Sequence, residues 1–395
     1  MIVLPIVLLM RLIASWKLIR IGCFFAGRIG HYAFDVEYYL LERYLGLHPK
    51  NAVDFFYYRG LNNGKPANDY YAEYTKRNLK VFDFIKYVQL VNSFIPGGEK
   101  HRVQLSVERS RSRDLKHLFK KYGTRHIFNQ EENKIGLSYL NSIGVGKDEK
   151  WVCMIIRDSA YLPDYHYHNY RDSDIDTYNE AAKALAEKGY WVIRMGKVVE
   201  KPFNVNHHRV IDYSTSPCRS DFLDIWLIAH CNFMITTNTG LDTIAEIFNK
   251  PILAVNHLPV GDLRIGLNDY SMEYFKILKW KDTGKLLSLR DQINCGAISF
   301  CYSDKYEQLG IEIINNTPSQ LKDAFLDFEK NLVDSANRTK NNILIDKFWG
   351  IMEEWKDLST IDRLFLVDQN GNIDGSCRIN ISSVFLEEHH EWFLE

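Results

Sequence analysis

Residues Met234–Asn256 read MITTNTGLDTIAEIFNKPILAVN, and their pattern decides the fold class of the chain. Phe233, Met234 and Ile235 form a short apolar run that opens into Thr236-Thr237-Asn238-Thr239-Gly240. Leu241, Ile244, Ala245 and Phe248 then recur at helical spacing, and Pro251 introduces a second apolar run, Ile252–Val255. The unit is strand, turn, helix, strand. Its turn is small, hydroxyl-rich and uncharged. Backbone N–H groups at a helix start, joined by Thr237, Asn238, Thr239 and Gly240, predict a seat for a diphosphate. The plainer alternative is an ordinary βαβ turn in which Gly240 only satisfies a backbone angle.

The same alternation extends in both directions. Upstream it predicts strands at Leu18–Phe25, Val53–Tyr57 and Leu79–Phe82, with helices at His31–Tyr44 and Asp69–Arg77, a loop at Asn62–Pro66 and a solvated basic helix over Glu108–Lys121. Asn141–Lys150 has the glycines and charges of a linker. Beyond it, Trp151–Ile156, Tyr190–Arg194, Arg209–Tyr213 and Ile277–Trp280 read as strands, and Asp174–Glu187 and Ser220–His230 as helices. Thr317-Pro-Ser-Gln320 is a capping box opening a last helix through Asn331. A chain of 395 residues, 46% hydrophobic, has room for two such domains and a tail. The expected division is a lead at 1–16, domains at 17–147 and 148–331, and a tail at 332–395, each domain built on a parallel sheet.

Composition excludes several function classes. A formal net charge of −1 creates no field that draws nucleic acid, so no nucleic-acid partner is expected. No GxGxxG follows any predicted strand, which argues against a dinucleotide oxidoreductase. The seven cysteines have no CxxC or metal spacing and read as reduced thiols. His166 and His168 have no third partner at ligand spacing, so no metal site is expected. Residues 2–10 are continuously apolar, and Arg11, Lys17, Arg20 and Arg28 follow with no acidic residue before Asp35. The run is too short to span a bilayer and has its charge on the wrong side for a signal peptide. It predicts a short interfacial anchor on the cytoplasmic face of the membrane, with packing on the body as the alternative.

Three arginines stand where ligands of open parallel sheets bind, beyond the C-terminal ends of strands. Arg157 ends the strand at 151–156, Arg171 closes the loop that follows, and Arg194 ends the next strand. They are candidates to clamp a diphosphate, although an interdomain salt bridge is a second role for Arg194. Asp212, Asp242 and Glu246 are candidate contacts to a nucleoside or sugar. In the first half, Gly30 would let an acceptor hydroxyl approach the backbone. His31, beside it, titrates near neutrality and suits a general base. Asp35, one turn later, would orient His31 or act in its place.

The 234–256 segment resembles the donor-side motif of the lipopolysaccharide heptosyltransferases: Asn238-Thr239-Gly240-Leu241 and Pro251 fall in that family's order and spacing. Thr243 stands where that family usually has His, and Asn249 where it has Gly. His31 occupies the position of that family's Asp base, and the Gly30-His31 pair also resembles the lipid-linked GlcNAc transferase of peptidoglycan synthesis. The RDSDI and VIRMG stretches resemble a broad group of bacterial glycosyltransferases of surface-polysaccharide loci. The resemblance implies an α/β fold of GT-B type, two Rossmann-like domains facing a central cleft, with a C-terminal helical tail. In that fold a C-terminal helix, Phe348–Leu358 or Val384–Leu394, often crosses back to the first domain. It further implies a nucleotide-sugar substrate, no cofactor, and a glycan or lipid-linked glycan acceptor at the inner face of the cytoplasmic membrane. The alternatives are a nucleotide-sugar 2-epimerase or hydrolase of the same fold and, with Thr243 as its support, a non-catalytic carbohydrate-binding or assembly protein.

Overall fold

The computed structural model describes residues 3–60, 65–161, 164, 166–263, 267–334, 343–355 and 378–395. The expected loop at Asn62–Pro66, the loop that Arg171 closes and the tail therefore lie partly outside the described residues. Two units pack separately: residues 1–114 with 121–127, and residues 115–120 with 128–395. The sequence reading places its boundary later, at 147/148. Helix Gln130–Ser142, opened by the Asn129/Glu132 capping box, belongs to the second unit. The Trp226 indole fixes it there, donating to Asn133 Oδ1 at 3.1 Å and lying flat against Gly136.

In the first unit, β1 (Leu18–Phe25) and β2 (Ala52–Arg59) pair in parallel over their whole length. Helix Ile29–Tyr44 connects them, starting two residues earlier than the sequence predicts, so Gly30 and His31 lie within its first turn. The expected strand at Leu79–Phe82 reduces to a single bridge, Phe56 to Val81. The expected helix over Glu108–Lys121 is broken. Arg111, Ser112 and His117 all have left-handed φ, which no continuous α-helix tolerates, and only Ser106–Ser110 and Leu118–Tyr122 are helical.

The second unit is built on a seven-stranded, all-parallel sheet. Its strands are β3 (Trp151–Ile155), β4 (Trp191–Arg194), β5 (Val210–Asp212), β6 (Phe233–Thr236), β7 (Ile252–His257), β8 (Met272–Phe275) and β11 (Asn380–Ile381). Their spatial order is β5-β4-β3-β6-β7-β8-β11. The residues of β4, β6 and β7 are buried throughout, which explains why these strands open on the continuous apolar runs Trp191–Ile193, Phe233–Ile235 and Ile252–Val255 and not on alternations. Ile277–Trp280, expected as the last strand, instead pairs antiparallel with Ile311–Ile314 outside this sheet as β9 and β10. The capping box at Thr317 is present and opens helix Pro318–Val333.

Helices Ile343–Glu354 and Ser383–Phe393 pack on the second unit. Phe348 stacks on Phe275 of β8 at 6.0 Å, and Phe385 meets the same ring edge-on at 5.5 Å. The first residues of the chain form helix Val3–Leu12, whose Val7 and Met10 are buried against β1 and helix Ile85–Ser93. No helix among the described residues is long and apolar enough to cross a membrane.

The Gly136–Trp226 contact yields a stability prediction. A Cβ at Gly136 would stand 2.2 Å from the indole, and Trp226 is buried and cannot swing away. Gly136→Ala should cost about 1–3 kcal/mol, the usual penalty for overpacking a core, read as a shift in the denaturant midpoint. An unchanged midpoint would mean that the helix does not rest on Trp226.

Candidate functional site

Strands β3 and β6 are neighbours, yet the chain leaves them in opposite directions, from β3 outward to β4 and from β6 outward to β7. This is the switch point at which an open parallel sheet leaves a crevice beyond its strand ends. Two hydrogen bonds tie the ends together. Thr237 N–H donates to the Ile155 carbonyl at 3.3 Å, and Arg157 N–H donates to Thr237 Oγ1 at 2.8 Å.

The turn after β6 is held from within. The Asp242 carboxylate accepts from Thr236 Oγ1 at 3.1 Å and from Thr239 N–H at 2.8 Å, and it is fully buried. These bonds correct two expectations. Asp242 shapes the turn and does not reach outward to a nucleoside. The N–H groups of Thr237 and Thr239, expected to hold the diphosphate, already donate within the protein. Asn238, at φ 55°, turns its carbonyl to Arg171. Gly240 is exposed at the lip of the turn, and Glu246 is buried on helix Asp242–Ile247.

Positive charge reaches the crevice through side chains instead. Arg157 and Asp172 form an ion pair at 2.9 Å, Nε to Oδ1. Arg171 donates from Nη1 to the Asn238 carbonyl at 3.3 Å and lies over the Tyr170 ring at 5.5 Å. Its Nε, like Asn238 Oδ1, is buried with no hydrogen-bond partner among the described residues. Such groups cost free energy unless something bonds to them. The third cation of the cluster is Lys276 and not Arg194, which the sequence predicts for that place. Lys276, directly after β8 and only 2% exposed, donates from Nζ to the carbonyls of Tyr170 and Asp172, each at 2.8 Å. Burial, with Arg157 and Arg171 nearby and Asp172 partly offsetting them, pushes the Lys276 amine down to about 7. Burial also lowers the pKa of Arg157, with Arg171 as the next cause.

Arg194 does not join this cluster. It is fully buried, and its guanidinium meets Asp212 at 3.3 Å, Asp158 at 3.9 Å and the Lys201 carbonyl at 2.8 Å. Asp212 is equally committed, accepting also from Phe203 N–H and from the Ser214 N–H and hydroxyl. Both residues brace β4 against β5, so neither the clamp role for Arg194 nor the nucleoside role for Asp212 fits their surroundings. His168 points its Nδ1 to the Cys301 carbonyl at 3.1 Å and stacks on Tyr302, while His166 is exposed. Among the described residues no three His, Cys, Asp or Glu side chains group as metal ligands.

In the first unit, His31 Nδ1 lies 2.9 Å from Ser112 Oγ, and its ring meets Phe25 edge-on. Ser112 is held at φ 58°, so a backbone conformation unusual for serine positions the imidazole's partner. Asp35 does not orient His31. It is fully buried, Oδ1 accepts from Val107 N–H at 2.9 Å, and burial pushes its carboxyl up to about 7. It holds the start of helix Ser106–Ser110, which is a structural role.

Comparison with known proteins gives fold-level likeness only. No family model matches the chain, and no curated protein does. Among solved structures, it is similar to the glycosyl transferase family 9 protein of Veillonella parvula DSM 2008 at 12% identity, covering 60% of this chain and 80% of that one, with a TM-score of 0.39. The E. coli ADP-heptose lps heptosyltransferase II matches at 15% identity, covering 60% and 84%, with a TM-score of 0.35. A UDP-N-acetylglucosamine 2-epimerase matches at 12% identity, covering 86% and 78%, with a TM-score of 0.23.

The position of Lys276 predicts how anion binding varies with pH. Only the protonated amine adds charge to the crevice, so affinity for a nucleotide sugar should fall roughly three- to tenfold as pH rises from 6 to 8.5. The phosphates of a nucleotide sugar stay fully ionised over that range, so the change belongs to the protein. In Lys276→Met the affinity should be lower at pH 6 and nearly flat with pH. Equal pH dependence in the two proteins would remove Lys276 from the site.

Proposed function

We propose that this protein is a glycosyltransferase. It takes a nucleoside-diphosphate sugar at the switch point of its second unit and passes the sugar to a surface glycan or a lipid-linked glycan. The observation that carries the reading is the cluster of Arg157, Arg171 and Lys276 around Asp172, with the Arg171 Nε donor buried and unpartnered among the described residues. The resemblance of Asn238-Thr239-Gly240-Leu241 to a donor-side motif supports the same assignment.

In this reading, the acceptor oxygen bonds to the anomeric carbon as the bond from that carbon to the diphosphate oxygen breaks, and negative charge grows on the departing diphosphate. Arg157, Arg171 and Lys276 meet that charge, most strongly because they are already held in place and shielded from water. Lys276 also fixes the backbone on both sides of Arg171. His31 takes the proton of the acceptor hydroxyl, with Ser112 setting the ring's orientation. No cofactor enters the scheme.

The test is an assay of the purified full chain against a panel of nucleotide sugars, with and without glycan acceptors, following both transferred sugar and released nucleoside diphosphate. Transfer that requires acceptor supports the reading. Acceptor-independent release of free or epimerised sugar would identify an epimerase or hydrolase instead, and donor binding without turnover a carbohydrate-binding protein. Where transfer is seen, His31→Ala should lower it by about 10²–10⁴-fold with donor affinity nearly constant. Arg171→Ala should weaken donor binding as well as turnover, because a diphosphate contact acts in ground and transition states alike.

A further inference from the structure

The first unit carries a concentration of exposed apolar side chains that the donor site does not use. Helix Val3–Leu12 buries Val7 and Met10, with Val3 partly buried at the same helical spacing, on β1 and helix Ile85–Ser93. On its other side it exposes Leu4, Leu8, Leu9 and Leu12, and Trp16 follows, with Leu12 and Trp16 each 79% exposed. Helix Ile85–Ser93 repeats the arrangement. Ile85, Val88 and Asn92 are buried, while Tyr87, Leu90 and then Phe94 are exposed, preceded by exposed Phe82 and Phe84. Monomeric soluble proteins seldom leave so many large apolar side chains together in water.

Both outward sides face the same way. Ile19 and Ile21 of β1 and Phe55 and Tyr57 of β2 alternate along their strands, so they occupy one face of the two-stranded sheet, and both helices pack on that face. Arg11 locks the helices together, donating to Asn92 Oδ1 at 2.9 Å and to the carbonyls of Asn92, Ile95 and Pro96. None of these acceptors is a carboxylate. Around the apolar surface, Lys17, Lys80, Lys86 and Lys100 are exposed against Asp83 and Glu99. Aromatic and leucine side chains with a cationic surround suit the headgroup region of an anionic bilayer.

We infer that helices Val3–Leu12 and Ile85–Ser93 together form a rigid surface that docks on an anionic lipid membrane, with Leu90 and Phe94 inserting beside Leu8, Leu12 and Trp16. The N-terminal run is therefore one half of a built surface and not a separable tail. Its removal would uncover Ile21, Ile85 and Val88, so deletion is the wrong test of attachment. The inference is independent of the donor site.

The experiment is flotation of the full chain with vesicles of phosphatidylcholine containing about one third phosphatidylglycerol, a strongly anionic surface. The wild-type chain should float with these vesicles, less with pure phosphatidylcholine, and less at high salt. The Leu90→Glu/Phe94→Glu double variant should lose at least about tenfold in vesicle affinity, since two large apolar groups no longer enter the bilayer. Ile135→Glu/Leu137→Glu, also exposed but on the second unit, should bind as wild type. Thermal melts of both variants check that each is folded. Vesicle binding unchanged by the Leu90/Phe94 pair would overturn the proposal. So would absence of wild-type binding combined with a dimer that the same pair dissociates, which would assign the face to a second copy of the chain.

Discussion

The amine of Lys276, buried between the carbonyls of Tyr170 and Asp172, is the contact on which the candidate site depends. Those two carbonyls flank Arg171. A cation in low dielectric is costly unless its donors are satisfied and a negative charge lies close. Lys276 has two carbonyl acceptors and one carboxylate neighbour, Asp172, which is already paired with Arg157. The outcome is a loop held in one shape with positive charge in excess of its pairing. An anion arriving there meets cations whose ordering and partial desolvation were completed on folding, so little reorganisation is left for the binding or chemical step.

That arrangement also separates two kinds of charged residue that look alike in the chain. Arg157 and Arg194 both end strands at the same sheet edge. Arg194 is enclosed by Asp212, Asp158 and a carbonyl and serves to brace β4 and β5. Arg157 shares its carboxylate with a cluster that contains more cations than Asp172 can balance. Asp242 and Asp35 follow the same logic on the acidic side, each turned inward to accept backbone N–H groups that a tight turn or a short helix would otherwise leave unsatisfied.

Much of this was legible from residue order. Strand, turn and helix at 233–247, the parallel sheet, the Thr317 capping box and the placing of Arg157, Arg171 and Asn238 at one sheet edge follow from apolar period, capping chemistry and the switch-point rule. Lys276 was not legible, because β8 has four residues and lies between segments without clear punctuation. Met272–Trp280 also holds Glu273 and a second lysine, Lys279, among its apolar residues, so residue order does not single out Lys276. The internal use of Asp242, Asp35 and Arg194 was hidden for a different reason. Sequence shows which groups stand near a strand end, but their partners come from distant segments, as Val107 does for Asp35. The N-terminal helix shows both situations at once: its apolar character was evident, while its pairing with Ile85–Ser93 depends on β1 and β2 sharing a face.

The most direct measurement is a crystal structure of the full chain with a nucleoside diphosphate. The account predicts diphosphate oxygens at hydrogen-bonding distance, roughly 2.7–3.2 Å, from Arg171 Nε and from Arg157 or the Asn238 side-chain amide, with Lys276 still on its two carbonyls. A diphosphate bound elsewhere on the chain, with Arg171 Nε left as it is, would contradict it.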